Sequence, residues 1–565
     1  VNVVGQSTFS ETRAGTASNV SQAALEELPT ISRSLTDFAR TSPHFNEQNS
    51  NGGDSFLSVA GRNNRYNNIQ IDGAVNNDLF GLAASGTPGG QTGTQPISLD
   101  ALAELQLVVA PYDVRQGGFS GGSINAVTRS GTNSVSGTGY WFGRSEALVG
   151  KIGSLTDKSV TTAVGRFKDQ QGGFSLGGPI VQNKAFYFGN LDLGRKTTPN
   201  GFSASGATGQ PFGHTAEVQQ VLEIAKNQYG YDAGGLDEFS KRGNSDKVFL
   251  RADFNLSPKN QLVVRNNYVH GLADQSGTTP SNIIYVTPGN FYAIDDSLTS
   301  TVGQLNSTWS NAFNEARVTY QRERNFRDPG TPFPHVQVDL ADGSNVRLGS
   351  ELSSQANRLN QDIVELTDDY TMLRGKHTIT VGTHNELFKF LNVFVQNLWG
   401  QYRFNSVANF QAGIAQQFNH NFSNDPSNPT LPAEFAVRQF GVYAGDQWRA
   451  ASNFTVTYGM RFDLPQFPDV PHANPLGEAT FGYRTDIAPA PKMYSPRAGF
   501  NWDLSNGGDK RSQVRGGAGI FAGRTPYVWL SNQYSNTGVD FTAIAVTFNA
   551  NNRIPFVADP NAQPT

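Results

Sequence analysis

The stretch Lys247-Val248-Phe249-Leu250-Arg251-Ala252-Asp253-Phe254-Asn255-Leu256 decides how the rest of the chain is read. Its even positions, Val248, Leu250, Ala252, Phe254 and Leu256, are apolar. Its odd positions carry Lys247, Arg251, Asp253 and Asn255, with Phe249 as the exception. Successive side chains on a strand point to opposite faces, so this run presents one apolar and one charged face. Ser257-Pro258-Lys259-Asn260 turns the chain, and Leu262 and Val264 resume the alternation. The pattern returns at Glu315 to Glu323, where Ala316, Val318 and Tyr320 oppose Glu315, Arg317, Thr319, Gln321 and Glu323. It returns again with Phe454, Val456, Tyr458, Met460 and Phe462 against Thr455, Thr457, Arg461 and Asp463. Ala498, Phe500, Trp502 and Leu504 against Arg497, Asn501 and Asp503 repeat it once more. Such runs exceed the roughly 5–6 residues usual for strands of globular sheets.

A soluble sandwich alternates too, but it would bury Arg251, Asp253, Arg317 and Arg461 in an apolar core at high cost. A wet lumen accepts them. Tight turns at Ser257–Asn260, Ser310–Asn314, Ala450–Asn453 and Asn506–Lys510 alternate with long polar segments near 198–244, 273–296, 328–356, 392–436 and 465–492. Short turns at one end and long loops at the other are the layout of a transmembrane antiparallel β-barrel of the outer membrane. Val248, Leu250, Phe254, Val456, Tyr458 and Phe500 then face lipid, and Arg251, Arg317 and Arg461 face the lumen. Roughly thirteen strand candidates precede residue 525. An open edge cannot sit in lipid, so the sheet has to close. The polar ending Ala558-Asp559-Pro560-Asn561 lacks an aromatic-ended strand, and further strands are expected beyond it.

Composition agrees. Of 565 residues only 16% are charged, with Gly 60, Phe 38 and Tyr 18, which suits strands and polar loops. Cys 0 removes disulfides, thiolate-bound zinc and a cysteine nucleophile. A net charge of −4 without a basic stripe argues against nucleic acid as a partner. Val1 to Gly5 has neither a basic region nor an apolar core, so any signal peptide is expected to have been removed already.

Residues 1–130 read differently, as a small α+β domain ahead of the barrel at 131–565. Ser21 to Leu28 is a short helix stopped by Pro29, and Ser34 with Asp37 caps a second one running to about Arg40. Phe56–Ala60, Asn68–Ile71 and Leu105–Ala110 are short strands.

Other motifs carry little chemistry. Gly118-Phe119-Ser120-Gly121-Gly122 and Gly173-Phe174-Ser175-Leu176-Gly177 match a nucleophile elbow, but no alternation of strand and helix surrounds them. Asp339 to Asn345 lacks calcium-ligand spacing, and the histidines His214, His270, His335, His377 and His420 show no paired metal spacing. No catalytic, metal or cofactor residues are therefore assigned. Thr215 to Tyr229 is a helix inside a long loop, by the recurrence of Val218, Leu222, Ala225 and Tyr229 and the stop at Gly230.

Phe56-Leu57-Ser58-Val59-Ala60-Gly61-Arg62 followed by Ile69-Gln70-Ile71-Asp72-Gly73 resembles the plug signature of TonB-dependent receptors. Gly117 to Thr128, with Ser123-Ile124-Asn125-Ala126-Val127-Thr128, resembles that family's plug end. Tyr443 to Trp448 and Ser495 to Gly499 are similar to its barrel segments, and Pro111 to Arg115 with the long loops resembles the Oar-like subgroup. The resemblance implies a barrel of about 22 strands, here partial, with the plug in its lumen. It implies location in the Gram-negative outer membrane among lipid and lipopolysaccharide. It also implies energising by the TonB–ExbB–ExbD complex and an unknown extracellular ligand or surface protein. Val1 to Val4 is a candidate remnant of a TonB box.

Ligand contact is expected at the plug apex, at Arg62, Asn63, Asn64, Arg65, Asn76, Asn77 and Asp78. Arg115 and Arg129 are expected to pair with the inward carboxylates Asp253 or Asp463. Gln396 to Asn424, with Phe404, Phe410, Phe418 and Phe422 among Asn and Gln, suits stacking against peptides or sugars. The leading function is active transport of a large ligand such as a peptide, protein or glycan. An Oar-like surface, adhesin or export role is second. A secreted β-rich hydrolase is a distant third.

Overall fold

A computed structural model describes residues 14–565 except 29, 31–32, 50–54, 110, 150, 154–160, 164, 207–208, 506–511 and 548–554. Val1 to Val4, Pro29 and the Asn506–Lys510 turn lie outside the described residues. The amino-terminal region folds as a five-stranded sheet in the order Thr16–Ser21, Leu102–Val109, Gly122–Thr128, Asn68–Ile71, Ala74–Val75. Asn68–Ile71 runs parallel to Gly122–Thr128, with Ile69 beside Ile124. The helices Gln22–Glu27 and Leu35–Ala39 cover it. The second opens on a reciprocal cap, with Asp37 N–H donating to Ser34 Oγ and Ser34 N–H to Asp37 Oδ2, both at 3.1 Å; such a cap contributes about 1 kcal/mol. Phe38, Ile71, Leu105, Leu107 and Ala126 form the core between the layers.

Thirteen antiparallel strands, from Ser136–Ser145 to Gln513–Gly519, make the second sheet. These two strands are its edges, so the wall is an open barrel. The alternation read from 247–256 is realised: Leu250 is 55% exposed on the outer face, whereas Phe249 is 1% exposed. Phe249 breaks the polar pattern of the inner face because it packs on the first domain beside Phe188, at 6.3 Å between ring centroids. Arg461, Asp463, Arg317 and Asp253 are all buried on the inner face.

The strands reach 19 residues in Ala433–Ala451, well beyond an apolar span. Above the outward apolar residues, outward polar pairs appear: a hydrogen bond of His270 with Asp295 at 3.1 Å, and ion pairs of Arg324 with Asp362 at 2.7 Å and Lys389 with Glu434 at 3.0 Å. They mark where the outer face meets water. The expected long loops are correspondingly shorter, since Ser240–Ser257 and Tyr292–Thr308 extend the wall into them.

The remaining loop residues form a cap. Its sheet has six strands in the order Ile284–Val286, Asn345–Leu348, His335–Asp339, Gln401–Phe404, Gln417–Ser423, Phe541–Thr547. The helix Thr215–Tyr229 forms as its spacing predicts and buries Val218, Val221, Ile224 and Ala225 in the cap core. Gly230, at φ 71°, ends it in the left-handed region where a side chain is strained. Phe404, Phe410 and Phe418 are fully buried in the same core. Three of the four phenylalanines expected to meet a ligand therefore hold the cap together, because only mutual burial removes their apolar surface from water.

His335 is buried in this cap and its Nδ1 accepts from Asn290 Nδ2 at 3.1 Å. Burial, with Arg347 nearby, pushes its pKa down to about 4. The folded cap thus favours the neutral ring. Its contribution is complete above pH 6.5 and lost as pH falls toward 4, a loss of about 3 kcal/mol. The protection factor of residues 335–348, taken against the intrinsic exchange rate at each pH, should fall over that range in the parent chain. In His335→Asn that protection factor should no longer depend on pH across the same window.

Candidate functional site at the plug and barrel wall

Ile71-Asp72-Gly73 sits where the first domain meets the inner wall. Asp72 has φ 47° and Gly73 φ 77°, a tight turn that directs the Asp72 carboxylate outward from its sheet. One oxygen accepts from Thr128 N–H at 2.7 Å and the other from Thr128 Oγ1 at 2.7 Å. The wall closes on it with three guanidiniums. Arg265 Nε lies 3.1 Å from Asp72 Oδ2, Arg251 Nη1 lies 3.7 Å away, and Arg317 Nη1 donates to the Asp72 carbonyl at 3.4 Å. A Cβ on Gly73 would stand 2.8 Å from Arg317 Nη1, the end of a flexible side chain that can shift, so it is the positive φ that favours glycine at this position.

A second anchor grips residues 111–117. Arg461 Nη1 donates to the Arg115 carbonyl at 3.2 Å, and its guanidinium lies over the Tyr443 ring at 5.0 Å. Arg497 Nη1 donates to the carbonyls of Asp113 and Gln116, each at 2.7 Å. A third link joins Ser98 Oγ to Asp192, which also pairs with Lys247 at 3.0 Å.

This arrangement corrects the expected pairing. Arg115 pairs with Asp113 at 2.6 Å, and Arg129 donates to the Asp100 carbonyl at 3.4 Å while lying over Phe188 at 5.4 Å. Asp253 and Asp463 are instead held by Arg251 and Arg461, two residues away on the same face of the same strand, each at 2.8 Å. Those carboxylates are satisfied inside the wall. The arginines retain spare donors, and these reach the backbone carbonyls of the inner domain. Arg497 was read on the polar face but not as a plug contact, and Arg265 was not singled out, although the alternation around Leu262 and Val264 already turns it inward.

The upper contact is apolar. Val75, Leu79 and Phe80 pack with Phe388, Phe390, Phe435 and the helix Tyr527–Ser535. Tyr527 and Val528 donate their N–H groups to the carbonyls of Leu79 at 3.2 Å and Phe80 at 2.9 Å. Arg524 pairs with Glu386 at 2.6 Å.

At the apex Arg62, Asn63 and Arg65 are exposed. Asn63 Oδ1 also accepts from Arg65 N–H and Arg65 Nε donates to the Gly81 carbonyl, each at 3.1 Å, and the other expected residues serve the turn as well. Asn64 Nδ2 donates to the Ala84 carbonyl, and Asn77 Oδ1 accepts from Ile69 N–H at 2.6 Å. Asp78 accepts from the N–H groups of Gly81 and Ala83, and Asn76 is buried at 2% exposure. Between the inner domain and the wall lies a polar cavity of about 480 Å³ lined by Gln70, Asp72, Arg115, Asn125, Arg265 and Glu315. It opens toward the tight-turn end of the strands, beside Gln261 and Asn306.

The two elbow-like motifs lie on no strand-to-helix turn. Ser120 is in a loop of the inner domain, and Ser175 sits within the strand Lys168–Val181, hydrogen-bonded to Thr138 at 2.6 Å. Among the described residues, no group of three or more His, Asp or Glu is placed to hold a metal.

A domain held inside a β-wall by such anchors is the architecture of a plugged outer-membrane receptor. The chain belongs to the TonB-dependent receptor family. The family model "Outer membrane beta barrel domain" matches residues 127–210 and 223–565, and "TonB-dependent Receptor Plug Domain" matches 11–124. It is a protein of the Gram-negative outer membrane, with the tight turns on the periplasmic side. Among curated relatives it is similar to the TonB-dependent transporter Oar of Myxococcus xanthus, 29% identical over 159 residues, or 28% of this chain and 14% of that one. Its fold matches the outer membrane transporter YddB from Escherichia coli, with TM-score 0.64 at 13% identity over 96% of this chain and 65% of that one. It also matches a mutant of the ferric enterobactin receptor PfeA from Pseudomonas aeruginosa, with TM-score 0.58 at 14% identity over 92% of this chain and 64% of that one. The chain thus spans just under two thirds of these solved structures.

Removing the Asp72 carboxylate leaves Arg265, 3% exposed, without its counter-charge. Asp72→Ala should therefore loosen the plug by roughly 3–5 kcal/mol. Gly73→Ala should act in the same direction by about 1–3 kcal/mol through backbone strain at its positive φ. Hydrogen exchange at Asn68–Ile71 and Gly122–Thr128 measures both. Unchanged protection in either variant would show that the anchor lies elsewhere.

Proposed function

We propose that the chain is the plug and the first thirteen wall strands of a TonB-energised transporter that moves a large ligand, a peptide, protein or glycan, across the outer membrane. The observation that carries this reading is the plug's mode of attachment. Its periplasmic half is held by charged and carbonyl contacts around a cavity of about 480 Å³. Water can replace such contacts one at a time, so a pull from the periplasm can shift that half without first exposing an apolar core. The large cap, whose outer surface carries Asn405, Gln411 and Asn424, favours a ligand spread over many hydrogen bonds.

Ligand contact at the apex is assigned to Arg62, Asn63 and Arg65. Asn64, Asn76, Asn77 and Asp78 shape the turn that presents them. A surface or export role in the manner of an adhesin remains the second reading, favoured by the folded cap.

Deletion of the gene should abolish TonB-dependent uptake of a labelled polypeptide or glycan, and Arg62→Ala with Arg65→Ala should reduce it at least fivefold, about 1 kcal/mol. Iron-regulated expression with siderophore uptake lost on deletion would overturn the large-ligand reading. Uptake unaffected by loss of TonB would overturn the transport reading itself.

A further inference from the structure

The wall strand Gln513–Gly519 is only seven residues long and ends level with Arg497, part of the way up its neighbour Met493–Asp503. Ile520 N–H donates to the Pro496 carbonyl at 2.9 Å, and the chain then leaves the wall for the lumen. Phe521 enters between wall and plug, with the Tyr112 ring of the plug 6.2 Å away and the Arg497 guanidinium over it at 4.7 Å. Gly523 pairs with Gly118 of the plug in a parallel backbone bridge. From there the segment climbs the inner face of the strand His377–Phe394. Arg524 meets Glu386 at 2.6 Å, Tyr527 lies 5.2 Å from Phe388 and 5.0 Å from Phe390, and Ser531 Oγ accepts from Asn392 Nδ2 at 3.0 Å.

Positions 386, 388, 390 and 392 are successive inward positions of one strand. Residues 520–535 therefore lie lengthwise between wall and plug. The fit on the plug side is close. A Cβ on Gly81 would stand 3.0 Å from Pro526 Cβ, and the N–H groups of Tyr527 and Val528 are spent on the carbonyls of Leu79 and Phe80. The side chains of Arg524 and Glu386 are 7% and 1% exposed, so drawing one away strands the other as a buried, unpaired charge. Residues 536–540 alone join this segment to the cap strand Phe541–Thr547.

We propose that residues 520–535 form an autoinhibitory strap, a piece of the outer surface folded into the lumen that keeps the plug seated and has to lift before the plug yields. The inference rests on the plug being the part that moves, as in the transport reading above, and adds a lock to it on the extracellular side. A pull from the periplasm meets the ionic lower contacts one at a time. The strap's ring contacts and its buried ion pair resist together. Displacement of the cap strand Phe541–Thr547 draws on the strap through residues 536–540, so the same stretch of chain carries movement of the cap to the plug.

The chain has no cysteine of its own. A Cβ on Gly523 would stand 3.8 Å from Ser120 Cβ, within the range of a disulfide. Ser120→Cys with Gly523→Cys therefore ties strap to plug reversibly. Hydrogen exchange is read on the full chain in lipid nanodiscs and needs no cargo, so its outcome stands whatever becomes of the transport reading. Arg524→Ala should lower protection at least tenfold at residues 78–81 and 118–121 of the plug as well as at 524–530, with the wall strand Asn357–Arg374 unchanged as the check on folding. Adding the two cysteines to Arg524→Ala should restore protection at 78–81 on oxidation and lose it again on reduction, because that site lies away from the cross-link and recovers only if the strap reseats. Should Arg524→Ala disturb the wall, Tyr527→Ala, which leaves the ion pair in place, supplies the same comparison. Plug protection unchanged in the variant, a loss confined to the strap, or no recovery at 78–81 would each overturn the proposal.

Discussion

A guanidinium inside a barrel lumen has to find acceptors, and most of this structure follows from where they are found. Arg251 and Arg461 each take a carboxylate two positions along their own strand. That leaves donors to spare, and the plug supplies acceptors as the Asp72 carboxylate and the carbonyls of residues 111–117. The positive φ values of Asp72 and Gly73 exist to bring that carboxylate and backbone within reach. Breaking such a buried pair costs far more than replacing it outright, so the network works as a positioning device whatever its net stability.

The plug is held differently at its two ends. Toward the periplasm its contacts are ionic and line a polar cavity. Toward the cap they are aromatic, with Phe80 against Phe390 at 5.9 Å and Tyr527 against Phe390 at 5.0 Å. Dispersion contacts of that kind are lost together when the rings part, whereas ionic ones can be exchanged singly with water. The helix Tyr527–Ser535 belongs to the cap side, since the chain continues from it into the cap strand Phe541–Thr547. The upper side of the plug is therefore packed against wall strands and a helix whose chain runs on into the cap.

The wall was legible because its period of two runs for many residues, and one slip of register would put every charge into lipid. Ile71-Asp72-Gly73 and the Ser34–Asp37 cap were legible because their chemistry is local. The plug–wall pairing was not. Sequence shows that Arg461 and Asp463 share a face, but whether they satisfy each other or a distant partner depends on the third dimension. The cap was hidden for a related reason: His335–Asp339 pairs in parallel with Gln401–Phe404 across more than sixty residues, and no turn signal announces such a pairing. The phenylalanines of 404–418 then look like exposed binding groups, when their burial depends on partners from four other segments. The helix at Tyr527 left a fainter trace, with Tyr527, Leu530 and Tyr534 on one side.

The pairing of arginine and aspartate within single strands has a consequence for the inner face of the wall. At Arg251–Asp253 and Arg461–Asp463 charge is compensated along a staple of two residues that belongs to the wall alone. Arg265 and Arg497 differ, since their acceptors are the Asp72 carboxylate and the carbonyls of Asp113 and Gln116. The inner face is thus a mosaic of short dipoles, some closed within a strand and some closed by the plug, instead of a field of one sign.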